Sequence, residues 1–587
     1  MNKVKEFFFK NDCELLKLTV FIVLAAFFFS SILATGHLAD DAYNSQIRGS
    51  LMFSEISLFD RTIGEIKGWF TGAGRIFVLN WIWIYSLFYF FTSTLAVKII
   101  GLSILLVNFI LFYFIIRNLT KSSATALVSI LVFPIIIQFH MEPDPVLAYA
   151  FFIPFQFLLI QISLLLFIGA HDQPNKVFSF LSVIFFASAL SVSELGYPLF
   201  VIYFLISYLK SGNIKNSIVI SSPFTIISTI YIFVMLYLKL FVIQTEAHPN
   251  GTYPGSNFHL NDIPIFLHAL FIQIVAGFPG VSWFKDVSQS LVFSLKDTPA
   301  IFLLIMSIHQ LKGFINSPRI IIKKELVLIA LFLIIIPASI VSMTYHQGEL
   351  VANGIGFTYL SVFYQYFGVA ILFVALLSAF RIKKIVFNLL IVPFVIIVFV
   401  TNLGLNNKVV KKLGGTYKYP REIIESAHSN GLFQDMSDKS FLYRYMLYPS
   451  DYHWSYATII GKKFHTCELK KIDQRAIDGG DNYLDCLPND NKGLLYDLSS
   501  KDAWILTHNI DRKYGREGRL ILAKIESIEL DRRKDLLSIK TSKLRYYDLK
   551  TNKIYNVDKD PDYNFLELTH DRYLDYKKMK SFKFELK

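Results

Sequence analysis

Two adjacent carboxylates, Asp40 and Asp41, follow the first long apolar run of the chain, and Tyr43 lies two residues further on. A carboxylate at the outer end of a membrane helix can take a proton from an acceptor hydroxyl as a general base. A pair of carboxylates can also hold a divalent cation. Burial and the neighbouring like charge would raise the pKa of one of them toward neutrality. The alternative is a solvated acidic helix end that only sets topology.

Two arginines, Arg48 and Arg75, lie in the segment that follows these carboxylates. A guanidinium group binds phosphate through two parallel hydrogen bonds. A lipid-phosphate substrate would present its phosphate at the depth of this segment, so both residues are candidate phosphate ligands. The alternative is that both side chains extend into the lipid headgroup layer.

Other ionisable residues interrupt apolar sequence further along the chain. Glu142 and Asp144 alternate with prolines, and Glu194 stands where Gly and Pro break an apolar stretch. Ionisable residues in such places are costly unless they are used, and irregular backbone is tolerated where it lines a cavity. The alternatives are a rigid turn that needs Pro and Asp and a tight loop between two helices. The candidate cavity residues are Tyr43, Glu142, Asp144, Glu194 and, in a later polar loop, His346.

Long apolar runs must position these residues. The chain is 53% hydrophobic, against about 45–50% in soluble domains, and the excess lies before about residue 405. A spanning helix needs about 20 apolar residues. This criterion predicts about eleven spanning helices, over 16–35, 95–116, 122–139, 147–169, 177–192, 196–209, 217–243, 290–311, 325–343, 358–380 and 384–403. The pair 177–192 and 196–209 is short, and one long tilted helix is the alternative there.

Lys and Arg placement predicts the orientation, because cytoplasmic turns are basic. The basic N-terminus and the basic turns around 117–121, 210–215, 312–324 and 381–384 are predicted to be cytoplasmic. The loops 36–94 and 244–289 and the tail are then outside. The net charge of +13 is accordingly ascribed to topology and anionic lipids, and no nucleic-acid partner is expected. We predict amphipathic surface helices over 41–75 and a juxtamembrane or re-entrant segment over 76–92.

The polar tail, 406–587, is predicted to be a separate α+β domain outside the cytoplasm. Alternation of apolar and polar residues predicts strands at 441–448, 503–507 and 520–530 and a hairpin over 543–557. Cys467 and Cys486 both lie in this domain. In an oxidising compartment they could form a disulfide, and two free thiols are the alternative.

The layout of residues 1–405 resembles the GT-C superfamily of polytopic glycosyltransferases. The shared features are one helix followed by an outer loop that opens with Asp40–Asp41, amphipathic surface helices, and Gly74–Arg75. Within the superfamily the chain resembles bacterial O-antigen-modifying, serotype-converting glucosyltransferases. Such enzymes sit in the inner membrane and use an undecaprenyl-phosphate sugar on the periplasmic face.

The resemblance implies a reaction and a role for each candidate. Asp40 or Asp41 would activate a hydroxyl of a lipopolysaccharide O-antigen acceptor, and Arg48 and Arg75 would hold the lipid phosphate leaving group. One displacement at the sugar would invert its anomeric centre. Glucose is the sugar that the resemblance implies, and the use of a divalent cation stays open.

Two other classes of membrane protein compete with this interpretation. A transporter or flippase of lipid-linked glycans would carry charges inside its helices and an internal repeat. The predicted spans are largely free of charge, with Lys98 and Lys239 as edge cases, and the sequence has no repeat. An O-antigen polymerase or ligase would place arginines in late outer loops, yet 244–289 and 344–357 contain none.

Overall fold

A computed structural model describes residues 12–141, 144–242, 263–279, 292, 294, 297–316, 323–342, 360–379, 384–438, 440–444, 453–463, 465–468, 495–497, 502–508, 518–531, 536–556 and 565–569. Glu142, His346 and Cys486 lie outside the described residues, and so does the side chain of Cys467. Their assigned roles and the disulfide therefore stay predictions.

The chain is mainly helical, and eight described helices are long and apolar enough to cross a membrane. This confirms the prediction of a multi-pass membrane protein. Each of the eight matches one predicted span. They are Cys13–Ala34, Thr94–Thr120, Ile153–Asp172, Ile214–Val242, Thr298–Ile315, Lys324–Ser342, Val362–Ala379 and Phe387–Ser429.

The other three predicted spans are shorter helices. They are Ser123–Ile136, Lys176–Leu190 and Phe200–Ser211. At about 1.5 Å per residue, each is shorter than the roughly 30 Å hydrocarbon core. The rings of Phe186 and Tyr203 are 5.0 Å apart, whereas one straight helix would separate them by about 25 Å. Lys176–Leu190 and Phe200–Ser211 are therefore two helices of a hairpin, and the alternative of one long tilted helix is wrong.

Basic residues gather at one end of the bundle. Lys121 and Lys210 both pair with Asp172, and Lys323 Nζ donates to Leu209 O at 3.1 Å. These residues lie in or next to turns that the placement of Lys and Arg predicts to be on the same side of the membrane. We call this the basic end.

Acidic segments meet at the opposite end of the same helices. Lys98, one turn into its helix, donates to Leu147 O at 2.5 Å, close to Asp144 in sequence. Gln156, in the first turn of the next span, donates to Ser193 O at 2.5 Å, next to Glu194. We call this the acidic end, after Asp41, Asp144 and Glu194.

The Val78–Phe90 helix has both of its ends at the acidic end. Leu79 N donates to Ser191 O at 3.2 Å, and the ring of Phe88 lies 5.5 Å from that of His37. A helix of 13 residues is about 20 Å long. It therefore lies across this end of the bundle, as predicted for a juxtamembrane segment.

Three helices precede it and form the predicted amphipathic layer. They are Ala39–Asn44, Ile47–Ser54 and Leu58–Ala73. Leu58–Ala73 begins at Ser57, whose hydroxyl accepts from Asp60 N at 3.0 Å. Phe59 and Ile63, one turn apart, are exposed on it, which suits a helix that lies in the membrane interface.

The last span continues into the tail without a break. Helical structure runs from 387 to 429, through the predicted domain boundary at 405/406. Beyond it, eight described strands form one mixed sheet. They are β1 Phe441–Arg444, β2 His465–Glu468, β3 Leu495–Asp497, β4 Ala503–His508, β5 Arg519–Asp531, β6 Leu536–Asp548, β7 Lys553–Asn556 and β8 Phe565–Thr569. Their order in the sheet is β2-β1-β4-β5-β6-β7, with β3 on β5 and β8 on β6. Apolar residues of the Tyr419–Ser429 helix, such as Ile423, pack against Trp504 and Leu522 of the sheet.

The central strands β4 to β7 are antiparallel neighbours, whereas β1 is parallel to β2 and β4. The predicted strands at 503–507 and 520–530 and the hairpin at 543–557 are confirmed, and the strand at 441–448 is described over its first four residues.

Gly36 lets the first outer loop pass against this last helix. Its φ is +102°, and an added Cβ would lie 2.6 Å from Lys418 N. We expect Gly36→Ala to destabilise the protein by about 1–3 kcal/mol, because left-handed backbone and a clash with main-chain atoms both oppose it. Thermal unfolding of purified protein measures this. Gly64→Ala is the control, since its Cβ would meet nothing within 4 Å; equal midpoints for Gly36→Ala and wild type would contradict the close approach.

Candidate active site

The two predicted carboxylates face different surroundings. They stand in the first turn of Ala39–Asn44, which begins after an extended Leu38. Successive helical residues point about 100° apart, so one side chain faces inward and the other outward. Asp41 is 3% exposed, and Asp40 is exposed.

Asp41 is a buried carboxylate beside a buried cation. Burial raises the pKa of Asp41 to about 8, the charge of Lys98 opposes that rise, and the charge of Asp40 adds to it. One carboxylate oxygen of Asp41, Oδ2, has no hydrogen-bond partner within the described part of the chain. A carboxylate in this state holds a proton near neutral pH more readily than a solvated one.

Lys98 links two acidic residues inside the protein. It is 3% exposed, and its ammonium group interacts electrostatically with both Asp41 and Asp144. We call Asp41, Lys98 and Asp144 the buried charge cluster. Because buried charges are stable only with partners, the three residues depend on one another.

Asp144 is also held by the backbone around it. Its carboxylate accepts from His140 N at 2.8 Å, Val146 N at 2.7 Å and Leu147 N at 2.9 Å. Burial raises its pKa to about 6, while these three hydrogen bonds and Lys98 lower it. Asp144 therefore shapes its turn, which was the alternative to a cavity role, and at the same time faces Lys98.

Asp40 is the accessible member of the pair. Its side chain is exposed to solvent, yet the protein around it raises its pKa through loss of hydration. Such a carboxylate accepts a proton more readily than a free one.

His37 is a buried residue just before the helix that carries Asp40 and Asp41. It is 1% exposed, and its Nε2 lies 3.2 Å from the hydroxyl of Thr94. Its other ring nitrogen, Nδ1, has no partner among the described residues. Burial lowers the pKa of His37, and the charges of Arg421 and Lys98 lower it further, so the ring is neutral at neutral pH.

A surface network extends outward from Tyr43. The guanidinium of Arg61 donates to Tyr43 Oη at 3.5 Å and pairs with Glu65 at 3.4 Å. Glu65 in turn accepts from Trp69 Nε1 and from Tyr85 Oη, each at 3.1 Å. Tyr43 thus connects the Asp pair to Arg61, a cation that the sequence pattern does not single out.

Arg75 and Glu194 come together in an ion pair. Their side chains pair at 3.3 Å and are 15% and 19% exposed. The Arg75 guanidinium also lies 5.8 Å from the ring centre of Trp69, and Lys239 interacts electrostatically with both charged groups. Arg75 is therefore already bound to a carboxylate.

Arg48 is exposed on the Ile47–Ser54 helix. Its neighbour Gly49 donates its N–H to Thr458 Oγ1 of the C-terminal domain at 2.9 Å. Arg48 thus lies beside the place where that domain contacts the first outer loop.

A divalent cation fits this site poorly. The described residues contain no group of three or more His, Cys, Asp or Glu placed to hold a metal. At the Asp pair the ammonium of Lys98 interacts electrostatically with Asp41 and would repel a cation. We therefore assign no role to a metal at the Asp pair.

Three contributors to the site were not predicted. Lys98 is visible in the sequence as a charge inside an apolar span. Near the end of a span, however, a lysine is equally well explained as a residue that sets membrane topology. Arg61 has a helical i,i+4 partner in Glu65, which is a weak signal. Arg421 likewise has an i,i+4 partner in Glu425, but nothing in the sequence around it indicates a contact with the first outer loop.

No family model matches the chain, and no curated protein matches it either. The function must therefore be inferred from the geometry of the acidic end.

Proposed function

We propose that the protein is an inverting glycosyltransferase of the bacterial inner membrane. It would move a sugar, glucose by the resemblance, from a polyprenyl-phosphate donor to a hydroxyl of a periplasmic glycan such as O-antigen. The observation that carries the proposal is the exposed, partly desolvated Asp40 above the buried charge cluster, at the end of a bundle of membrane helices.

We assign Asp40 as the base and Asp41 as a residue that positions it. Only Asp40 reaches solvent, and an acceptor glycan must approach from solvent. Asp40 would take the proton of the acceptor hydroxyl while that oxygen bonds to the anomeric carbon. The bond from the anomeric carbon to phosphate breaks, and its electron pair leaves with the polyprenyl phosphate.

The developing charge on the phosphate needs cations near the membrane surface. Arg61 contacts Tyr43, and like Arg75 it already pairs with a carboxylate, that of Glu65. Arg48 is exposed and accessible. Arg75 would have to exchange Glu194 for the phosphate, which favours a supporting role.

The distribution of charge supports an enzyme over a transporter. Lys98, Asp144 and Glu194 lie at the acidic end, and the pair of Arg117 and Glu14 lies near the basic end. Ionisable groups along a transport path would be expected near the midplane instead.

The orientation proposed here has the basic end in the cytoplasm, as the positive-inside rule requires. The C-terminal part contacts the first outer loop through its His453–Ile460 helix and would then be periplasmic. Counting the three short helices as crossings gives the eleven-helix layout of a GT-C-like enzyme.

Membranes that contain the protein should transfer label from a radiolabelled polyprenyl-phosphate sugar to a lipopolysaccharide acceptor. The rate should fall as the pH is lowered through the pKa of Asp40, because only the deprotonated carboxylate can accept a proton, and burial places that pKa above 3.8. The pH–rate profile measures this. If wild-type membranes move the labelled lipid between leaflets without transferring sugar, the transporter alternative is favoured and the enzyme proposal fails.

A further inference from the structure

We infer that Arg421, in the helix that leads into the C-terminal domain, is a positioning residue that fixes the helix carrying Asp40 and Asp41. The inference rests on the proposed function for the chemistry of that helix. It implies that the C-terminal domain completes the active site.

Arg421 joins two separate parts of the first outer loop. Its side chain is 5% exposed. Nη1 donates to Ser45 Oγ at 3.2 Å, and Nη2 donates to Thr92 O at 2.9 Å. Nε donates to Glu425 at 2.8 Å, one turn along the same helix, which orients the group.

The first of these contacts holds the end of the Asp helix. Ser45 is the C-cap of Ala39–Asn44, and its N–H donates to Asp41 O at 2.9 Å. Its hydroxyl donates to Ala42 O at 2.8 Å and accepts from Arg421. A shift of the Arg421 side chain would therefore move Ser45 and, through it, the backbone of Asp41.

The second contact holds the helix that carries Lys98. Thr92 lies two residues before Thr94–Thr120, whose first residue contacts His37. One guanidinium thus sets the distance between the Asp41 and Lys98 backbones. Because charge interactions in a protein interior depend steeply on separation, this distance decides how Lys98 acts on the carboxylates.

Other contacts from the C-terminal part hold the same loop on both sides. Lys418 Nζ donates to Leu33 O at 2.9 Å, before the Asp helix. Thr458 binds Gly49 N after it, and Lys463 pairs with Glu55 at 2.5 Å. The Arg421 contact is therefore one part of a continuous interface.

The geometry requires arginine. A planar guanidinium donates to three acceptors in fixed directions, whereas a lysine ammonium on a flexible chain cannot reach Ser45, Thr92 and Glu425 together. We therefore expect Arg421→Lys to behave like Arg421→Ala.

The test compares full-length protein carrying Arg421→Ala, Arg421→Lys or Lys412→Ala in detergent. Lys412 is exposed on the same continuous helix and controls for loss of one charge. Hydrogen exchange of peptide 39–46 should be about tenfold faster in both Arg421 variants, while peptide 159–168 should be unchanged. Sugar transfer should fall about 10²-fold, the loss that small misplacements of catalytic groups cause.

Millimolar guanidinium chloride should restore both the slow exchange and the transfer of Arg421→Ala, and sodium chloride at the same concentration should restore neither. A general folding defect would not be repaired by a denaturant ion. Wild-type exchange in peptide 39–46 of Arg421→Ala would overturn the inference. If wild-type protein transfers no sugar while the exchange results hold, the proposed function fails and the positioning contact stands.

Discussion

Asp40→Asn should abolish most sugar transfer, lowering the rate by about 10²–10⁴-fold, the usual contribution of a general base. The amide has nearly the shape of the carboxylate but cannot accept the proton. Because Asp40 is exposed, the substitution should leave the fold intact, and thermal unfolding in detergent checks this. The transfer assay with a radiolabelled polyprenyl-phosphate sugar, at equal amounts of protein, measures the rate.

Asp41→Asn should behave differently. Asp41 is buried beside Lys98, so its substitution should change the stability of the protein as well as the rate. Asp60→Asn is the matched control, because Asp60 is an exposed carboxylate on the same outer loop, and its rate should stay within about twofold of wild type. A wild-type rate for Asp40→Asn together with a lost rate for Asp41→Asn at full stability would reverse the assignment of the base.

Hydropathy predicted the scaffold well because the physical requirement is local. A membrane span must be apolar over its whole length, so a window of sequence contains all the information. The predicted span 95–116 and the observed Thr94–Thr120 differ by a few residues. The two short helices of the hairpin around Glu194 were harder to predict, because each is shorter than the spanning criterion requires. Whether the chain reverses between them depends on packing.

The position of the Asp pair was also predictable, but the burial of Asp41 and the exposure of Asp40 were not. Adjacent residues in a helix face different directions, and the rotation of Ala39–Asn44 depends on what packs against it. Arg421 lies 376 residues from its partner Ser45. No local pattern encodes a contact over that separation, so it could come only from the structure.

Lys98→Met should weaken the protein in a way that depends on pH. Removing one of several buried charges that compensate one another leaves the others uncompensated, which costs up to about 3–5 kcal/mol. In the buried charge cluster the remaining charges are the carboxylates of Asp144 and Asp41, whose pKa values burial raises to about 6 and about 8. At pH 5 both hold a proton, so Lys98→Met should be no less stable than wild type.

The sign of the pH effect follows from these raised pKa values. A carboxyl group with a raised pKa in the folded state contributes stability while it is protonated, and that contribution is lost as the pH rises through the folded pKa. Lys98 limits the loss by stabilising the charged forms. Without it, the stability deficit of Lys98→Met should grow as the pH rises through about 6 and again through about 8.

Thermal unfolding of purified protein between pH 5 and pH 9 measures this deficit. Lys121→Met is the control, because Lys121 is an exposed lysine at the basic end and should show little change at any pH. The double variant Lys98→Met with Asp41→Asn should lose less stability than the sum of its two single variants, by about 0.5–3 kcal/mol. The reason is that residues of one charge network are coupled. Additive losses, or a deficit that does not change with pH, would mean that Lys98 does not compensate these carboxylates. Asp40 would then lie above a site whose electrostatics are set by other residues.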